Sequence, residues 1–310
     1  MGVDAEFTGL GRFESPNSPQ FGTSGVDRVY DDGFNLVDVS GNAGGLTTNW
    51  GFQDASQFDA QAGTISLSTF ESLSNGSVET SDGAHLSVQA TAFYDVGELD
   101  GWSLSSENPA RWGVRFDLGY QRIEIGDNST LTTDLVQNTD TFALNGVIPP
   151  TAPFSGSFGD PGPLLSDLGG FSQQISTGGG VVNGNREIEA NLFLLSLGPY
   201  VELPVTKKLS VTAQVGGTLG IIGGEFSFTS ETSLPGGASQ SAAGKESETE
   251  VLGGFYVGAG LNYALNENWS LSADARYQYL NSFEIEANGS GAELDFGSFF
   301  LFNFGATYRF

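Results

Sequence analysis

Long runs of this chain alternate apolar and polar residues one by one. In "ARWGVRFDLGYQ" (110–121) one face carries Trp112, Val114, Phe116, Leu118 and Tyr120, and the other Arg111, Gly113, Arg115, Asp117, Gly119 and Gln121. The same split recurs from Leu209 to Ile221, from Phe255 to Leu265 and from Trp269 to Tyr279. A period of two marks β-strands and excludes an amphipathic helix. Each run exceeds the usual soluble strand of about 5–6 residues.

Two architectures use such strands. A sandwich or barrel in water turns the apolar face inward. A membrane barrel turns it outward to lipid, lines its interior with polar groups and gathers aromatic rings at both interfaces. The run lengths suit tilted spans of about 9–11 residues. Rings also stand near run ends, at Trp112, Tyr263, Trp269, Tyr277 and Phe310. The connections separate into two kinds. "PVTKK" (204–208) and "NEN" (266–268) are short, whereas 126–186, 225–250 and 284–294 are long. Short turns at one end and long loops at the other are the pattern of such barrels. No run reads as a membrane helix, because the best candidate, Leu209 to Gly224, is split by Ser, Thr, Gln and paired Gly.

The expected fold is therefore all-β: a transmembrane antiparallel up-and-down β-barrel of eight strands, or ten in the alternative, with long outer loops and short periplasmic turns. Seven strands fall near 84–96, 111–125, 188–203, 209–224, 251–265, 269–284 and 295–310. An even count requires one more, from 3–13 or from 64–73. The whole chain, 1–310, reads as one barrel domain, with 14–83 as a large loop or plug and 84–310 as the barrel core with long loops 126–186 and 225–250. Charge agrees with this topology. Of the net −26, a share of −22 lies in 14–83, 126–185, 225–250 and 284–295.

The last residues, "NFGATYRF", place polar Asn303, Gly305, aromatic Tyr308 and terminal Phe310 at set spacings. This resembles the C-terminal β-signal by which Gram-negative outer-membrane proteins are recognised for barrel insertion. With the strands before it, roughly two-thirds of the chain resembles the small outer-membrane barrels of the OmpA, OmpX and OmpW type, a likeness of architecture and not of function. The resemblance implies the bacterial outer membrane as address, a signal peptide removed upstream of this numbering, and outer-membrane lipid and the barrel-insertion machinery as partners. No wall-binding domain of the OmpA kind is expected.

Arg115, Asp117, Glu202, Asp274, Arg276 and Arg309 share the polar face. In an eight-stranded barrel side chains fill the interior, so these six are expected to pair as a charged network that plugs it. The stretch 30–53 is rich in oxygen ligands, and Asp31, Asp32, Asn35 and Asp38 are its candidate Ca²⁺ site, set against a reading as turn-forming side chains. No other cofactor is expected. Cysteine is absent, which excludes disulfides and thiolate sites. The single histidine, His85, has no local catalytic motif around it, so no enzyme is expected. A strongly negative chain is repelled by nucleic acid. The function expected is a structural or surface-interaction protein acting through large acidic extracellular loops, with surface polysaccharide, other envelope proteins or self-association as partners. A narrow porin-like channel or a transporter of small hydrophobic solutes is the alternative.

Overall fold

The computed structural model describes residues 3–38, 44–73, 76–82, 87–99, 109–234 and 239–309. The chain opens with β1 (Val3–Leu10) and four short strands, β2 (Arg28–Val29), β3 (Gly33–Asn35), β4 (Leu46–Thr47) and β5 (Trp50–Phe52). A single 3₁₀ turn (Ala55–Gln57) precedes β6 (Phe58–Asp59), β7 (Thr64–Ser72), β8 (Gly76–Asp82), β9 (Ser87–Leu99), β10 (Ala110–Asp127) and β11 (Leu131–Ala143). Then come β12 (Phe154–Ser155), β13 (Leu165–Ser166), β14 (Gly170–Pro204), β15 (Leu209–Ser233), β16 (Ser239–Ala264), β17 (Trp269–Leu280), β18 (Phe283–Ala287), β19 (Ser290–Asp295) and β20 (Ser298–Tyr308). Every ladder is antiparallel, and no helix among the described residues is long and apolar enough to cross a membrane.

The principal sheet is a wall ordered β20-β17-β16-β15-β14. Beyond β14 it continues as two collinear pieces. The lower half of β14 pairs with β10 (Arg111↔Glu202 to Asp127↔Arg186), and its upper half pairs with β11 (Leu131↔Val182 to Thr141↔Gly170). Outside them lie β9 against β10 and β7 against β11. The wall is curled, because ion pairs cross its interior between strands that are not neighbours. Arg276 of β17 meets Asp117 of β10 at 2.6 Å, and Arg309, just past β20, meets Glu202 of β14 at 3.4 Å.

On β14, β15 and β16, and on β10 from Gly113 onward, the buried residues keep one parity throughout, but the chemistry of the two faces changes. On β10, Trp112, Phe116, Leu118 and Tyr120 point outward, and Arg115, Asp117 and Gln121 are buried inside. One step higher, Arg122 and Glu124 are exposed and Ile123 and Ile125 are buried. The change occurs along one rung across four strands. Outward Tyr120, Phe193, Ile221 and Val251 are successive cross-strand partners, the next outward rung is Arg122, Asn191, Gly223 and Thr249, and the one above it is Glu124, Glu189, Glu225 and Ser247. Below this line the wall is apolar outside and polar inside; above it the arrangement reverses. Outward Phe300, Phe302 and Phe304 of β20 belong to the apolar band.

The reversal requires a cover for the apolar upper interior, and a second sheet ordered β18-β19-β1-β8 supplies it. Phe7 stacks on Phe226 at 5.9 Å, and the ring of Phe283 lies where a Cβ on Gly224 would stand 2.6 Å away. Ile123, Ile188, Leu192, Ile222, Leu252, Leu280, Ile285 and Leu294 complete this core. Burying such side chains contributes about 1.5–3 kcal/mol each, and the core closes the top of the polar interior.

The expected eight strands do not form one closed barrel among the described residues. Residues 3–10 are a strand, but β1 bridges β8 and β19 only at the upper level (Val3↔Asp82, Asp4↔Asp295). Among the described residues no ladder joins β9 to β20 beneath it, so the sheets are not closed. Residues 64–72 are a strand of the principal sheet, β7, which pairs with β11 at the upper level and not with β9 or β10.

The long segments are also not loops in the main. Residues 225–250 continue β15 and β16 as a ladder up to Ser233↔Ser239, and 126–186 holds β11 and the upper half of β14. The strands persist because backbone pairing does not depend on which face is greasy. Residues 14–38, 44–63 and 144–169 fold together as a cap, with small sheets β12-β5-β3-β2 and β13-β4 around Tyr30, Trp50, Phe52, Ile65, Leu67, Phe142 and Leu165. The cap packs on the upper ends of β7 and β11.

Candidate functional site

Two regions concentrate polar chemistry: a girdle inside the lower wall and an acidic face above the apolar band. The girdle forms because alternate residues of β10, β15 and β17 must point inward, and those positions carry charge. Arg115 Nε donates to Asp117 Oδ1 at 2.9 Å and Nη1 to Asp274 Oδ1 at 3.3 Å; Arg276 Nη2 donates to Asp117 Oδ2 at 2.6 Å. Gln89 and Thr91 also donate to Asp117, and Gln214 donates to Asp274 at 3.2 Å. Arg276 lies 4.1 Å over the Tyr256 ring, and Arg115 lies 5.3 Å over Phe93. Two cations and two anions cancel, so the group is neutral, as a stable buried cluster must be.

The six expected interior residues therefore divide. Arg115, Asp117, Asp274 and Arg276 form one cluster. Glu202 and Arg309 form a second, in which Ser210 Oγ donates to Glu202 Oε1 at 2.5 Å. Sequence reading missed Gln89, Thr91, Gln214 and Tyr256 as members. The signal was present, since Gln214 shares the polar parity of its strand, but alternation does not report which neutral groups meet across the interior.

Asn303, Gly305 and Tyr308 lie along β20 opposite Asp274, Ser272 and Trp269. The Tyr308 ring packs edge-on to Trp269 at 5.1 Å, on the outward side of the wall. Phe310 and His85 lie outside the described residues.

The oxygen-rich cap segment is held by its own hydrogen bonds. Asp31 accepts from Ser15 Oγ, Asn17 Nδ2 and the Phe70 N–H; Asp32 accepts from the Ser68 N–H at 2.6 Å. Asn35 Nδ2 donates to the Ser166 carbonyl, and half-buried Asp38 ends the described stretch 3–38. These bonds tie 31–35 to β7 and β13. Burial pushes the Asp32 carboxyl up to about 7, a rise opposed by the Ser68 N–H and reinforced by neighbouring Asp31. Among the described residues, the carboxylates near enough together to share one ion are Glu124, Glu187 and Glu189, all exposed. Arg122 already pairs with Glu189 at 2.9 Å and Glu124 at 3.4 Å.

The acidic face is the outer side of the covering sheet. Register places Glu79, Glu6, Glu293 and Glu284 in one row across β8, β1, β19 and β18, with Asp4 opposite Asp295 on a neighbouring row. Asp4, Glu6, Glu79, Glu293 and Asp295 share an open groove of about 430 Å³. Among the described residues none of these carboxylates has a basic ion-pair partner. Like charges directly opposite on a sheet repel, so the pairings of Glu6 with Glu79 and Glu293 lower the stability of this sheet.

No protein-family model matches the chain. No curated protein matches it either. Among solved structures it is similar to Ail, the attachment invasion locus protein of Yersinia pestis, solved in complex with the heparin analogue sucrose octasulfate, at 14% identity over 72% of this chain and 95% of that one. The TM-score is 0.20, too low to carry an argument about fold or function.

Proposed function

We propose that this chain is a bacterial outer-membrane β-barrel protein, exported with a signal peptide, whose lower wall spans the bilayer and whose acidic upper part is a contact surface outside it. The observation that supports this reading is the rung Tyr120–Phe193–Ile221–Val251, above which the outward face turns from apolar to acidic while the interior turns from polar to apolar. The apolar band on β10, from Trp112 to Tyr120, has the length of one tilted span. A protein in water throughout has no reason to expose Phe300, Phe302 and Phe304 at 63%, 69% and 84%.

The work of the protein is interaction, not catalysis. The acidic row on β8, β1, β19 and β18 and the outward acids of β10 and β14 suit partners reached through divalent cations, surface polysaccharide among them. A Ca²⁺ role for Asp31, Asp32, Asn35 and Asp38 is part of this proposal. Completing the wall with β1 as the eighth strand fits the even count of such barrels, and the end of β20 serves as the insertion signal. The channel alternative is weakened by the neutral girdle and by the apolar core above it.

Because the chain has no cysteine, single substitutions report topology. In intact cells a membrane-impermeant maleimide is expected to label Glu189→Cys and to leave Leu219→Cys unlabelled, while a lipophilic probe reverses the order. Labelling of both by the impermeant reagent overturns the membrane reading. Loss of Ca²⁺-dependent polysaccharide binding when Glu6, Glu79 and Glu293 become Gln tests the contact surface; binding unchanged in that variant removes it.

A further inference from the structure

The girdle contains more polar groups than it satisfies. Gln121 and Gln278 are each 1% exposed, and among the described residues neither the donor nor the acceptor atom of either amide has a protein partner. Gln214 Oε1, the Tyr256 hydroxyl and Arg276 Nε are likewise buried without one. Buried amides are nearly always hydrogen-bonded, so this grouping is informative. Gln121, Gln278, Asp117, Arg276 and Ser196 line one small, partly open cavity of about 20 Å³, to which Ser87, Val88 and Gln89 of β9 also contribute. The next inward residues above the two glutamines, Ile123 and Leu280, are fully buried and belong to the apolar core.

Chemistry narrows the occupant. Two free amides offer donors and acceptors together, which suits a molecule that both gives and takes hydrogen bonds. The neighbouring ions are already paired two against two, so no net charge is left to hold an ion. A water needs roughly 10–15 Å³ of such volume and two to four polar partners, and the cavity supplies both. We propose that this cavity is an ordered-water site in which water bridges Gln121 and Gln278 to the Arg276–Asp117 pair. The apolar core above it keeps the site hydrated from the β9 side and closed to ions from above.

The test uses the full chain in lipid. Water-edited solid-state NMR is expected to show rapid polarisation transfer from water to the side-chain amides of Gln121 and Gln278, and no transfer to the Ile123 and Leu280 methyl groups. Absence of transfer to both amides, or equal transfer to the methyl groups, overturns the site. Gln121→Met and Gln278→Met, alone and together, give an independent reading through urea unfolding. If water bridges the two amides, each single change lowers the folding equilibrium constant by about tenfold, and the pair costs less than the product of the two. If the amides are simply unpaired, each Met raises the constant and the effects multiply, and the proposal fails. Neither readout depends on which membrane holds the protein.

Discussion

Arg276 on β17 donates to Asp117 on β10 at 2.6 Å, although 159 residues separate them and three strands of the wall stand between their own. The pair is a strut across the interior, and with Arg115–Asp274 at 3.3 Å it fixes how tightly the wall curls.

Removing the strut leaves a buried carboxylate short of a partner. Arg276→Ala is expected to lower stability by about 3–5 kcal/mol and to reduce the temperature at which the folded gel band is lost. Arg276→Lys restores only part, since a lysine cannot both reach Asp117 and lie flat over Tyr256. Heat-modifiable gel mobility measures this, and an unchanged melting of the Ala variant contradicts the strut.

Asp32 makes cap stability fall as pH rises. Its folded pKa of about 7 lies above its ordinary 3.8, so the folded cap binds the extra proton between those values. The associated stability is complete below the ordinary value and is lost as pH climbs through 7. Between pH 4 and pH 8 the loss is on the order of 2–4 kcal/mol. Asp32→Asn, which still accepts from the Ser68 N–H, is expected to flatten the dependence and to stabilise the cap at neutral pH. Limited proteolysis of 14–63 against pH reports it.

A charge on the outward band separates lipid from water. Leu219→Arg is expected to cost about 2–4 kcal/mol, whereas Thr229→Arg, on the same face of β15 but above the rung, stays within about 0.5 kcal/mol. Equal costs in urea unfolding from lipid vesicles argue against a bilayer around the band.

Phe283 and Gly224 are a fitted pair. Gly224→Ala drives a methyl into the ring and is expected to cost about 1–3 kcal/mol, and Phe283→Ala costs about 3–5 kcal/mol. In the double variant the methyl no longer clashes, so its cost falls below the sum of the singles. A double-mutant cycle in urea checks the sign of that coupling.

Glu6 stands directly between Glu79 and Glu293. Glu6→Gln is expected to stabilise the covering sheet by about 0.2–1 kcal/mol, more at low salt than at 0.5 M or so, where screening is short-ranged. Unfolding midpoints across a salt series decide it, and a gain independent of salt removes repulsion as its cause.

What could be read before folding was local. Strict alternation in 110–121, 209–221, 255–265 and 269–279 identified the strands, their outward and inward residues and the antiparallel all-β class, because the side-chain period of a strand is a property of each strand alone. The charged residues 115, 117, 274 and 276 were recognisable by the same parity. Residues 225–250 were misread as loop because the greasy face changes sides there: Phe226 and Phe228 turn inward where Leu219 and Ile221 had turned outward, and only a partner sheet distant in sequence makes that favourable.

Strand identity and facing were thus written in neighbouring residues. The split of the six charges into two clusters, the short reach of β1, the apolar core beneath the covering sheet and the joining of Gln121 with Gln278 at one cavity were decided by three-dimensional packing. Each depends on which strands curl into contact, and pairing energies between residues more than a hundred positions apart leave no mark in the local pattern.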